Sequence, residues 1–320
     1  MVAMGMVLLP QERWAQARGR WQRLEEAGFD HAWTYDHLAW RTLADEPWFA
    51  TVPLLAAAAA VTGRIGLGTF VASPNFRHPV PFAKDVLGLD DVSGGRFLLG
   101  VGAGGEGFDA RVLGPAPARA ARTRRFEEFV GVLDRLLTQP VTEHAGEHYE
   151  AHGARMHPGT IARPRVPFLV AANGPRAMAL AARLGDGWVT FGPSVALDAA
   201  GPDGLPPAGS DDAAQERWWQ GLAELAHRVD AAEREAGRTR PLRRVLSLDG
   251  APRFALSSLT LAVEGVERAA ALGFTDVVLH WPRAEGVYAG DERTAEAFAE
   301  RLPELQALPV AGRATGGGDV

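Results

Sequence analysis

The chain has no cysteine, so neither a disulfide nor thiol chemistry can contribute to its stability or its catalysis. Lysine is nearly absent: Lys84 is the single one among 33 basic residues, and the rest are arginine. With the alanine richness, this bias reads as genomic base composition. No apolar run approaches the ~20 residues that a membrane span requires. The first residues, MVAMGMVLLP, lack the basic stretch and cleavage site of a secretory signal, so a cytoplasmic protein is expected. The net charge of −6 leaves no basic footprint for nucleic acid. His144, His148, His152 and His157 have no zinc-ligand spacing and no cysteine beside them. They read as surface histidines, and no metal site is expected.

What is present begins with the stretch Arg64 to Gly105. Ile65 to Val71 is a short apolar run bounded by glycines, the pattern of a buried parallel strand. Pro79 opens a helix with an apolar stripe, which Ser93-Gly94-Gly95 ends. Phe97 to Val101 is a second buried strand running into Gly102-Ala103-Gly104-Gly105. The unit is βαβ, which implies parallel strands and a right-handed crossover. Further strands are expected at Val2–Leu9, His31–Thr34, Phe168–Ala171, Gly187–Phe191, Leu242–Leu248 and Asp276–His280. Helices are expected over 14–27, 47–61, 119–137, 175–184, 213–236, 259–272 and 293–302. Residues 140–167 read as an excursion with a hairpin. Residues 192–212, rich in Pro, Gly and Ser, read as a mobile loop or lid. Eight strands alternating with helices predict a (β/α)8 TIM barrel, an α/β fold with excursions at the strand C-terminal face. A doubly wound sheet is the second choice, because strand order is not written in the sequence. One domain over 1–308 and a flexible tail over 309–320 are expected.

In a barrel the site is built at the carboxyl ends of the strands. That rule selects Asp36-His37, Val71 to Asn75, Gly102 to Glu106, Asn173-Gly174, Phe191-Gly192, Gly250 to Arg253 and His280 to Arg283. Trp281 and Arg283 are candidate substrate contacts by this rule. A histidine titrates near neutrality, so His37 suits proton transfer. Gly102 to Gly107 matches GxGxxG in form, but a loop follows where a dinucleotide site needs a helix. The glycines read instead as room for a flat ring system. The turn Ala171 to Pro175 joins a strand to a helix, whose N-terminus is an anion site. Arg77 and His78 could contact a phosphate or serve the helix entry. Trp218-Trp219 and the tryptophans of the first helix read as core or subunit interface, and a homodimer is expected.

The motifs GFDHAWTYDHL, RIGLGT, RHPV, LDDVSGGRFLLGVGAG, AANGPRAMALAARLGDGW and LGFTDVVLH cover most of residues 20–280. Together they resemble the luciferase-like monooxygenase family, in its deazaflavin (F420)-dependent oxidoreductase branch. The resemblance implies coenzyme F420 as cofactor, with FMN as the alternative, and a small organic substrate. It makes His37 the base, Asp36 a cofactor contact and Trp40 a pocket wall. Glu106 stands one position later than the proton-donating glutamate of relatives; it is a candidate donor or an exposed loop carboxylate. The resemblance assigns the cofactor to Phe70, Val71, Ser73, Gly104 and Gly105, with its phosphate at Ala172, Asn173 and Gly174. It also implies a non-proline cis peptide at Phe70–Val71. An FMN-dependent monooxygenase fed by a flavin or F420 reductase, and a non-catalytic barrel that binds flavin or a metabolite, stay open as rival readings.

Overall fold

The computed structural model describes residues 1–193 and 212–312. The expected lid lies almost wholly outside these residues, as does the tail beyond 312. Eight strands close into one parallel barrel: β1 (Ala3–Val7), β2 (His31–Thr34), β3 (Gly66–Ala72), β4 (Phe97–Val101), β7 (Phe168–Ala171), β8 (Gly187–Thr190), β9 (Arg243–Ser247) and β10 (Asp276–His280). Their order around the wall is β1-β10-β9-β8-β7-β4-β3-β2, which decides for the barrel over the doubly wound sheet. The remaining strands, β5 (Thr142–Ala145) and β6 (Glu150–Ala154), form the antiparallel hairpin of the excursion.

Side chains alternate in direction along a strand, so every second residue of the barrel faces inward. Those positions supply the inner core: Val7, Trp33, Leu169, Val189, Val245 and Val278, all fully buried. Trp33 occupies much of this volume because its inward neighbours on the adjacent strands β1 and β3 are glycines. A Cβ on Gly68 would lie 2.2 Å from the Trp33 ring, and one on Gly5 would lie 2.1 Å from the His31 ring. Outward positions pack on the helical ring and form a second, larger core.

The helices are α1 (Trp14–Ala27), α2 (Thr51–Ala59), α3 (Pro79–Val92), α4 (Phe108–Arg111), α5 (Arg119–Thr138), α6 (Pro175–Leu184), α7 (Asp212–Glu235), α8 (Leu259–Ala271), α9 (Glu292–Ala299) and α10 (Leu302–Gln306). Among the described residues no helix is long and apolar enough to cross a membrane. Two departures from the sequence pattern are proline effects. The expected helix 47–61 begins only at Thr51, which keeps Pro53 in the first turn, where its missing N–H costs nothing. The Thr51 hydroxyl donates to the carbonyl of Tyr35 (2.8 Å), tying that start to the end of β2. The expected helix 293–302 breaks at residues 300–301, and Pro303 falls in the first turn of α10. A third departure is α4, a single turn that opens directly after Gly107, where the glycine run is expected to lead into a loop, and it carries a site residue.

Candidate active site

For three residues past β2 the alternation still holds, so Tyr35 and His37 follow His31 and Trp33 onto the inward face. Both line a cavity of about 360 Å³ at the carboxyl end of the barrel. His37 Nδ1 is hydrogen-bonded to Oδ2 of Asp109, a buried carboxylate in the first turn of α4. The other carboxylate oxygen accepts the backbone N–H of Leu38 (2.8 Å), and the His37 carbonyl accepts the Trp48 indole N–H (2.9 Å). A carboxylate beside Nδ1 keeps the proton on that nitrogen and leaves Nε2 as the basic one. It also stabilises the imidazolium that forms when Nε2 takes a second proton. Nothing in the spacing of the sequence singles out Asp109: it lies 72 residues from His37. Its one sequence signal is an acid shortly after a strand end.

Trp40, Phe70, Val71, Ser73, Gly104, Gly105 and Asn173 also line the cavity. The Phe70–Val71 peptide is cis. Asn173 is engaged on both sides: its Oδ1 accepts from Thr190 Oγ1 (2.7 Å) and its Nδ2 donates to the Gly192 carbonyl (2.6 Å). Ala172 is buried beneath this layer, with its carbonyl on the Trp188 indole. Gly174 precedes α6 in extended conformation, and no side chain caps that helix.

Besides Ala172 and Gly174, six expected residues lie outside the cavity lining. Asp36 is buried in a bidentate pair with Arg77, at 2.6 Å to Nε and 2.5 Å to Nη2. Its side chain follows the opposite, outward phase of the strand and is not part of the cavity lining. The same pair consumes Arg77, while His78 caps α3 by accepting the Val80 N–H (3.2 Å). Glu106 is 65% exposed and paired with Arg122 (3.0 Å), so the exposed loop carboxylate is the form it takes. Trp281 and Arg283 line a separate cleft with Leu8, Pro10 and Glu292. There Trp281 donates to Glu292 (3.2 Å) and Arg283 pairs with Glu46 (2.6 Å).

The cavity wall also holds a hydrogen-bonded chain that the sequence does not announce. Asp249, just past β9, accepts from both the backbone N–H (2.6 Å) and Nδ1 (3.0 Å) of His280, the last residue of β10. His280 Nε2 meets the Tyr35 hydroxyl at 2.5 Å, and that hydroxyl meets the Tyr288 hydroxyl at 3.0 Å. Tyr288 stacks flat on His280, with ring centroids 3.9 Å apart. Burial, reinforced by their mutual contact in the case of Tyr35, raises the pKa of Tyr35 above the usual phenol range. Burial likewise raises that of Tyr288. Strand parity is the signal that was available: Asp276, Val278 and His280 share one face of β10.

A parallel eight-stranded barrel with a histidine–carboxylate pair at its carboxyl-end cavity defines the class. The chain belongs to the luciferase-like monooxygenase family, whose model matches residues 3–307. It is 33% identical over 316 residues to the F420-dependent glucose-6-phosphate dehydrogenase of Beutenbergia cavernae, covering 88% of this chain and 91% of that protein. It is 36% identical to the 4-hydroxyprotoasukamycin monooxygenase of Streptomyces nodosus subsp. asukaensis, over 68% of this chain and 53% of that protein. Its fold is shared with the coenzyme F420-dependent tetrahydromethanopterin reductase of Methanopyrus kandleri: TM-score 0.73, 17% identity, 95% of this chain and 99% of that one.

Proposed function

We propose that the chain is an oxidoreductase that moves a hydride between bound coenzyme F420 and a small, uncharged organic substrate. The observation that carries this reading is the His37–Asp109 pair on the wall of the barrel-end cavity. The relatives named for F420 dependence supply the cofactor class. The residues present fit such a group. Phe70, Val71, Ala171 and Phe191 give apolar walls for a flat ring. The uncapped N-terminus of α6, with open space at Gly174, suits a phosphate. When bound, the deazaflavin ring supplies the hydride acceptor or donor.

His37 Nε2 takes the proton of a substrate hydroxyl, or returns it to a carbonyl in the opposite direction. Asp109 stabilises the imidazolium. General-base help of this kind contributes ~10²–10⁴-fold. Trp40 forms a wall. The substrate is read as uncharged from the charges in the lining. Arg41 is exposed at the mouth, and the carboxylates Asp109 and Asp249 are buried in the wall, held by His37 and His280. Lys84 is elsewhere, donating to the His157 carbonyl (3.4 Å). Among the described residues the lining offers one arginine, and the two carboxylates in the wall add negative charge behind it, a poor match for a phosphate ester.

The relative named as a monooxygenase favours a second reading, FMN-dependent oxygenation with a reductase as partner. Titration of the purified protein with F420 and with FMN separates the two: tighter F420 binding is expected, and equal or tighter FMN binding overturns the reading. In the cell we place the enzyme in the cytoplasm, as a homodimer; light scattering on a size-exclusion column tests the pairing.

A further inference from the structure

We propose that Tyr35, backed by His280 and Asp249, is a second proton-transferring group of the cavity, independent of His37. The proposal rests on the hydride-transfer reading. Oxidation of an alcohol releases a hydride and a proton, and full reduction of a deazaflavin takes up both. The proton lost at one place and the proton gained at the other are separate transfers. His37 accounts for one, and Glu106, turned to solvent and paired with Arg122, is not placed to make the other.

The chain from Tyr288 through Tyr35 to His280 has what a proton path needs. Each link lies within hydrogen-bond distance, at 3.0 and 2.5 Å, and each hydroxyl can both donate and accept. Tyr35, Tyr288 and Asp249 all line the cavity, while the His280 imidazole and the Asp249 carboxylate are sealed behind the two rings, each 1% exposed. The only cation-forming member is the imidazole, and its Nδ1 sits on Asp249. A proton entering from the cavity therefore comes to rest on His280 Nε2. One O–H bond breaks and one forms at each hydroxyl, and the new imidazolium is balanced by the Asp249 carboxylate. Run backwards, the same steps deliver a proton to the cavity. Among the described residues no arginine or lysine bonds to Asp249. A fixed cation there would neutralise the carboxylate and remove its reason to hold a proton on His280.

The test uses Tyr35→Phe, which keeps the ring and removes one oxygen, with Asp249→Asn as a second variant. In F420-loaded enzyme turning over a secondary alcohol, Tyr35→Phe should lower kcat about 10–100-fold. KM and F420 affinity should stay within about threefold, and the solvent deuterium isotope effect on kcat should change. In the cofactor-free protein, ¹⁵N-histidine NMR should show the His280 Nε2 resonance move in Tyr35→Phe and the Nδ1–H resonance move in Asp249→Asn. Unchanged kcat and isotope effect in Tyr35→Phe, or a His280 spectrum indifferent to both substitutions, overturns the proposal. A wild-type protein that binds no F420 defeats the reading of the reaction instead, and the imidazole spectrum then decides the chain by itself.

Discussion

Three strands, β2, β9 and β10, carry a histidine–aspartate pair at each end of the barrel, and the two pairs are finished differently. At the amino end, His31 Nδ1 accepts the Trp33 indole N–H (2.7 Å) and Nε2 meets Asp276 Oδ1 (3.0 Å). Asp276 is also held by Arg243 and by the Thr275 hydroxyl (2.6 Å). Burial alone would raise the Asp276 pKa. The hydrogen bond from His31 and the charge of Arg243 outweigh it and hold the carboxyl well below the usual range. Both His31 nitrogens and both Asp276 oxygens of this cluster have fixed partners. At the carboxyl end, Asp249 has His280 and the Ala255 backbone N–H but, among the described residues, no arginine, and the chain ends in two tyrosines on a cavity wall. A closed network of this kind serves stability, because a proton has nowhere to go. An open one can pass a proton on.

The largest effect that sharpens this contrast is expected at the open end. His37→Ala should lower kcat by roughly two to four decades, about 3–5 kcal/mol of barrier, with F420 affinity within a few fold. Urea melting of the same variant should be nearly unchanged, since His37 is partly exposed. A variant that keeps full turnover would return His37 to a structural role.

At the closed end the expected loss is in stability. Asp276→Ala strands Arg243 and the His31 N–H and should cost roughly 3–5 kcal/mol in urea unfolding, while kcat per folded molecule stays near wild type. The pH dependence has a definite sign. A carboxyl whose folded pKa is depressed stabilises above its unfolded pKa, and that stabilisation is lost as pH falls toward the folded value. The gap between wild type and Asp276→Ala should therefore be full above about pH 4 and shrink below it. A gap that widens on acidification would break the comparison.

Smaller again is Asp109→Asn, which keeps the contacts to the Leu38 N–H but weakens support of the imidazolium. About a tenfold fall in kcat with little change in KM is expected, and steady-state kinetics would show it. Smallest is Glu106→Gln. With its carboxylate in solvent, kcat should stay within about twofold; a hundredfold loss would restore Glu106 as a proton donor.

How much of this was legible in the chain follows from the range of each interaction. The strands and most helices are local patterns of apolar period, glycine stops and first-turn prolines, and these place β3, α3 and β4 almost to the residue. His37 could be picked out because a strand end is a local feature and the barrel rule makes it a site; Trp40 came only from the family resemblance. Asp36 could not be separated from His37 by type alone; only the phase of β2 sends one to the cavity and the other to Arg77. Trp281 and Arg283 met the same difficulty past β10, where the chain turns away over a neighbouring cleft.

The sequence by itself determined the alternation of strands and helices, the absence of thiol chemistry and the family motifs, since each depends on neighbours a few residues apart. Tertiary structure alone decided that Asp109 meets His37 and that Tyr35 meets His280, pairs separated by 72 and 245 positions. Barrel closure sets the second: β2 and β10 come to flank β1 only when the eighth strand returns to the first, whereas His37 and Asp109 follow β2 and β4, on either side of β3. Hydrogen bonds act over about 3 Å of space, whatever the length of chain between the partners.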